Sequence, residues 1–245
     1  MDKAAMWKKI IHMILIFAGA LAVGILAAFL TEWMQERKGY SKEAESRDAR
    51  IGAEKDPVME EKKKVALTFD DGPNGIYTEP LLDGLKERNV KATFFVLGSE
   101  VERFPELVHR TSEEGHLIGV HSYKHVNLKQ LSDKDAMEQV DRTNAAIYDA
   151  TGHYASYIRP PFGSWKEDLD YASRMIEVLW DVDPNDWATD SSDLVVQRVL
   201  EKVEENSIIL LHDASESSVQ AAFTIIDALK EQGYEFVTVE EILVD

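Results

Sequence analysis

From Val65 onward the sequence alternates between short apolar, β-prone runs and longer amphipathic stretches, and few architectures satisfy that alternation. The runs are 65–70 (VALTFD), 92–97 (ATFFVL), 117–121 (LIGVH), 156–159 (SYIR), 177–183 (EVLWDVD), 207–212 (SIILLH) and 235–239 (EFVTV). Between them, 78–88, 101–114, 133–151, 191–205 and 217–232 carry apolar residues at helical spacing. Ser132 before DKDAMEQV, with acids in the first turn, marks a helix start. Helices between consecutive buried strands imply parallel βαβ units. Seven such units predict an incomplete β/α barrel, with a flavodoxin-like open sheet as the other solution.

In either solution, functional groups gather at the C-terminal ends of the strands. The predicted strands end in polar residues: Asp70 and Asp71 after the first, His121 the third, Arg159 the fourth, Asp183 the fifth, His212 the sixth. One such residue is an ordinary satisfied polar group. Five strands ending this way predict a site.

Composition narrows the chemistry. The 245 residues contain no Cys, so any transition metal must be held by His and carboxylate. The net charge of −18 argues against nucleic acid and against anionic lipid as an electrostatic partner. Residues 65–245 carry the acidity, which keeps that part soluble.

The N-terminal region has a different character. Ile10 to Leu30 (IIHMILIFAGALAVGILAAFL) is 21 residues without a formal charge. That is enough to cross a hydrocarbon core of ~30 Å as a helix. A cleaved signal peptide would have an apolar core of only ~7–15 residues. Residues 1–9 are therefore expected as a cytoplasmic tail, 10–30 as a transmembrane anchor, 31–63 as a charged linker and 64–245 as the folded domain. Lys3, Lys8 and Lys9 favour an N-terminus inside, although Arg37, Lys38 and Lys42 weaken the bias. The folded domain is then extracytoplasmic.

Four segments carry candidate chemistry. In TFDDGP (68–73) two carboxylates stand side by side, which fits an ordinary turn. It also fits a site in which a cation offsets their repulsion. HSYKH (121–125) sets two imidazoles four apart; on one helical turn both could face one ion. With Asp71 they would supply two nitrogens and one oxygen, leaving a position for water. RPPFG (159–163) reads as a surface loop, or as a guanidinium that pairs with a carboxylate. In DPNDW (183–187) an acid could support a histidine while the indole walls a pocket, and His212 after SIILL would be at least half desolvated.

In order along the chain, TFDDGP, HSYKH, RPPFG, DPNDW and LLHD (210–213) resemble the five motifs of the polysaccharide deacetylases. This is the NodB-homology domain, carbohydrate esterase family 4. GHLIG at 115–119 also looks like the usual lead-in to the histidine motif. The resemblance covers roughly 64–243 and implies a distorted, incomplete (β/α)7 barrel with a divalent metal, zinc or cobalt. It implies Asp70 as catalytic base, Asp71, His121 and His125 as metal ligands, and Arg159 as the residue orienting the base. His212 would be the catalytic acid with Asp186 as its charge partner. Leu210 and Trp187 would line the acetyl-methyl pocket, and the backbone N–H around Phe162 would hold the oxyanion; many members have Tyr there. The implied reaction removes N-acetyl groups from cell-wall polysaccharide and releases acetate. Peptidoglycan N-acetylglucosamine comes first, with chitin-like oligomers, N-acetylmuramic acid and O-acetylated xylan also open. A monomer acting on acetylated glycan is expected. A non-catalytic glycan-binding protein on the same fold is the alternative.

Overall fold

The computed structural model describes residues 31–35, 62–166, 169 and 173–244. The chain divides into two compact units, Met1–Glu60 and Glu61–Asp245. Of the first unit only residues 31–35 are described, and they are helical. No helix among the described residues is long and apolar enough to cross a membrane. The anchor expected at 10–30 lies outside the described residues, as does most of the expected linker.

The second unit is a single curled parallel sheet with helices packed on its outer face. The strands are β1 (Lys63–Asp70), β2 (Thr93–Val96), β3 (Leu117–Val120), β4 (Tyr157–Ile158), β5 (Ile176–Glu177), β6 (Ile208–His212) and β7 (Tyr234–Val237). Each strand from β2 to β5 pairs with its predecessor; β6 and β7 both pair with β1. A doubly wound sheet would reverse its strand order at a switch point. Here β6 does fall on the far side of β1 from β2, but the segment after β5 comes back to β6 through the Val182–Ile209 bridge, so the sheet curls toward a barrel instead of staying open.

Strand residues alternate between faces. In β1, Val65, Leu67 and Phe69 join the large apolar cluster, which also contains α1 (Thr78–Glu87) residues Leu81, Leu82 and Leu85. Ala66 points the other way and packs with Phe95, Tyr157, Val178, Ile208 and Val239 inside the curl. Thr68 and Asp70 continue that inner face upward. The inside of the sheet is thus apolar at its base and polar at the C-terminal rim.

Several predicted elements change shape for physical reasons. The stretch 101–114 is two helices, α2 (Gly98–Arg103) and α3 (Pro105–Glu113). Phe104 between them leaves helical geometry, and Pro105 opens the second. By contrast α4 (Asp133–Thr151) runs as expected, its Ser132 side chain accepting from the Asp135 N–H and Gly152 closing it at φ 79°. The last three helices are α5 (Ser192–Leu200), α6 (Glu216–Glu231) and α7 (Val239–Val244).

The predicted strand 177–183 is the main departure. Only Ile176–Glu177 form a strand, pairing with β4. The carbonyls of Val178 and Leu179 then accept from the Arg159 guanidinium at 3.1 and 2.9 Å. Farther on, Asp181 and Val182 donate to the Ile208 carbonyl, and Val182 bridges to Ile209. The segment crosses from β4 to β6, and a buried arginine fills the gap where ladder bonds would run.

Candidate active site

The polar rim gathers on one cavity of about 440 Å3 lined by Asp70, Asp71, His121, His125, Phe162, Trp180, Asp183, Trp187, Leu210 and His212. Arg159 and Asp186 are buried behind it.

Asp70, the last residue of β1, is buried and receives a bond from Arg159 Nη1 at 2.8 Å. The same Nη1 donates to Thr68 Oγ1 at 2.6 Å, and Thr68 Oγ1 donates to the Ile209 carbonyl. Nε and Nη2 donate to the Val178 and Leu179 carbonyls. The guanidinium carbon lies 4.3 Å from the Phe95 ring centroid and 5.7 Å from that of Trp180. Burial pulls the Arg159 pKa below its usual value, while the neighbouring Asp70 works in the opposite direction. Each guanidinium nitrogen has an acceptor, which is what a fully buried arginine requires.

His121 follows β3. Its Nδ1–H donates to the Arg159 carbonyl at 2.6 Å, which leaves Nε2 as the free nitrogen. Nε2 lies 3.5 Å from Asp71 Oδ1, and His125 Nε2 lies 3.4 Å from the same oxygen. Burial lowers the His121 pKa, against the pull of Asp70 and Asp71 toward the charged form. The ring is thereby favoured in its neutral, ligating state.

The segment 121–125 is not the helical turn expected from its spacing. It is a bend in which Ser122 (φ 68°) and His125 (φ 52°) are left-handed. The histidines converge because the chain doubles back, with ring centroids 5.2 Å apart. The Lys124 N–H, bonded to Gln139 Oε1 of α4, helps pin the bend. Left-handed non-glycine residues recur around the cavity at Asp71 (φ 73°), Phe162 (φ 61°) and Asn185 (φ 53°). Such conformations persist where surroundings enforce them, and they cluster at functional sites.

The donor set fits a divalent cation. Asp71, His121 and His125 each offer one atom, all within 4.8 Å of one another. Asp71 Oδ1 is buried and has no hydrogen-bond partner, an arrangement that is costly unless a cation occupies the space between the three. One carboxylate and two imidazoles suit zinc or cobalt better than magnesium or calcium, which prefer oxygen.

On the opposite wall, Asp186 bridges His212. Its Oδ2 accepts from the His212 backbone N–H, and its Oδ1 accepts from Nδ1–H, both at 2.8 Å. His212 Nε2 therefore faces the cavity, 4.0 Å from Asp71 Oδ2. Burial opposes the imidazolium, but the bond and charge of Asp186, with Asp70 and Asp71, outweigh it and push the pKa up to about 9.

Leu210 is buried beside His212, and Trp187 stands exposed at the rim. Phe162 is 65% exposed in a 3-10 turn, its ring edge-on to His125 at 4.8 Å. Asp183 lines the cavity, its Oδ1 accepting from the Asn185 N–H. Three residues were missed from sequence. Trp180 and Thr68 sit inside segments already singled out, and their role follows only from which face they occupy. The third, Asp213, ends the LLHD segment, and its near-complete burial appears only in the structure.

A sequence model of the polysaccharide deacetylase family matches residues 58–178. The peptidoglycan-N-acetylglucosamine deacetylase PgdA of Listeria monocytogenes is 40% identical over 186 residues, which is 76% of this chain and 40% of that protein. This chain thus spans less than half the length of that relative. The solved structure of peptidoglycan deacetylase PdaC from Bacillus subtilis superposes with a TM-score of 0.72 at 41% identity, covering 74% of this chain and 90% of that one. A family 4 pseudoenzyme from Bacillus anthracis is also similar, with a TM-score of 0.70 at 33% identity over 75% of this chain and 66% of its own. By fold, motifs and these likenesses, the chain belongs to the polysaccharide deacetylase family.

Proposed function

We propose that the protein is a metal-dependent hydrolase that removes N-acetyl groups from cell-wall glycan, with peptidoglycan N-acetylglucosamine as the first substrate. The observation that carries this is the single cavity on which Asp70, Asp71, His121, His125 and His212 converge, with Arg159 and Asp186 buried behind. The name of the Listeria relative supports the choice of sugar.

Asp71, His121 and His125 would hold the ion, zinc before cobalt. When bound, it would polarise the acetyl carbonyl and acidify water. Asp70, fixed by Arg159, accepts a proton from the attacking water as its oxygen bonds to the amide carbon. The backbone N–H at Phe162, a residue that lines the cavity, would hold the oxygen that gains charge. His212, protonated and held by Asp186, donates its proton to the sugar nitrogen as the carbon–nitrogen bond breaks. Acetate and a free amine result. Leu210, buried, and Trp187, at the rim, would line the side of the cavity that takes the methyl group.

The test is acetate release by the zinc-loaded full chain from peptidoglycan, chitooligosaccharides and acetylated xylan. Asp70→Asn should lower turnover by at least ~10²-fold while zinc is retained. Zinc binding without acetate release from any of the three would favour the non-catalytic glycan-binding reading; the similar Bacillus anthracis protein is a pseudoenzyme.

Residues 10–30 fit a membrane anchor holding the domain outside the cytoplasm, a reading supported by 21 residues without formal charge. Membrane fractions should retain the full chain after alkaline wash, and a version lacking 1–31 should be released.

A further inference from the structure

Asp213 immediately follows the proposed acid, yet it points away from the cavity. His212 shares a face with Leu210, whereas Asp213 has the parity of Ile209 and Leu211, which sit among the core residues under the helices. Its carboxylate is 1% exposed. It meets the turn that leaves β1. Thr78 Oγ1 donates to Asp213 Oδ2, and the same hydroxyl oxygen accepts the Asn74 N–H at 2.6 Å. The Thr78 N–H returns a bond to the Asn74 carbonyl at 3.2 Å. Gly72 lies flat against the carboxylate: a Cβ there would sit 2.5 and 2.7 Å from its two oxygens. Asp71 itself is left-handed, a conformation its neighbours must impose.

We propose that Asp213 is a positioning residue for the metal ligand Asp71, acting through Thr78, Asn74 and Gly72. The buried carboxylate fixes the floor of the turn 71–74. One strand end then sets both the acid, through His212, and the ligand opposite it, through Asp213. A loosened turn would let the Asp71 carboxylate wander from the two imidazole nitrogens. Groups hydrogen-bonded directly to metal ligands change metal affinity by about 10–100-fold when lost, and Asp213 and Thr78, which reach Asp71 through the backbone of Gly72 and Asn74, act at the low end of that range. The proposal rests on the reading of Asp71, His121 and His125 as a metal site.

The experiment measures zinc affinity of the full chain by competition with a chromogenic chelator, alongside the visible spectrum of the cobalt form. Thr78→Val keeps the shape and removes both hydroxyl bonds. It should weaken zinc about 10-fold and alter the cobalt bands. Thr78→Ser, which restores the hydroxyl, should return both to those of the unaltered chain. If Thr78→Val does not fold, Asp213→Asn, which keeps the volume, should show the same weakening and altered bands. A folded Thr78→Val or Asp213→Asn with unchanged affinity and spectrum overturns the positioning role while the metal site stands. An unaltered chain that binds no equivalent of zinc overturns the metal site and the positioning role together.

Discussion

Burying a guanidinium is tolerable only where each N–H finds an acceptor and a charge of opposite sign stands close. Arg159 has Asp70, Thr68 and two backbone carbonyls in those places. Removing it leaves the Asp70 carboxylate buried without its cation. Arg159→Met should therefore cost about 3–5 kcal/mol of stability, read from the urea midpoint at neutral pH; an unchanged midpoint would contradict the pairing. The second pair, Asp186 with His212, sets a pH dependence. Asp186 is what holds His212 protonated, its pKa near 9, against the effect of burial. In Asp186→Asn that charge is gone and burial dominates, so the imidazole loses its proton at lower pH. The alkaline limb of the acetate-release profile should move downward. A limb that stays in place would mean His212 is not the acid.

The joint between β2 and β3 has its own pH dependence. His116 Nδ1 accepts the Ala92 N–H at 3.1 Å, which requires that nitrogen to be unprotonated. Burial, with Lys91 nearby, lowers its pKa from 6.5 to about 4. Between those values the unfolded chain binds the proton and the folded chain does not, so stability falls as pH drops from 6.5 toward 4. The loss should reach up to about 3 kcal/mol in urea unfolding series. His116→Gln should flatten that window, and an identical slope would refute the assignment. Elements whose cause is local were legible in the sequence. Helix α4 has its Ser132 cap, its acidic first turn and Gly152, all adjacent in the chain. Segment 177–183 was not, because a side chain nineteen positions earlier takes the Val178 carbonyl that a strand would have used. The HSYKH bend was misread for a related reason: spacing shows that two histidines are four apart, not the backbone path between them.

At the scale of the whole molecule, the site exists because parallel strands deliver their last residues to one rim. That much followed from the order of apolar runs and from the polar residues that end them, Asp70, Asp71, His121, Arg159, Asp183 and His212, while their separate roles came from the family resemblance. What spacing does not reveal is the layer behind the rim. Asp213, Thr68 and Trp180 matter through contacts with residues distant in sequence, and only the curl of the sheet brings those together. The chemistry of this rim depends on Asp71, His121 and His125 converging on one divalent ion. Anomalous scattering at the zinc edge from zinc-loaded crystals tests it most directly. One strong peak is expected within about 2.0–2.2 Å of a carboxylate oxygen of Asp71 and of Nε2 of both histidines. A full-occupancy peak on other residues, or none beside these three, would contradict it.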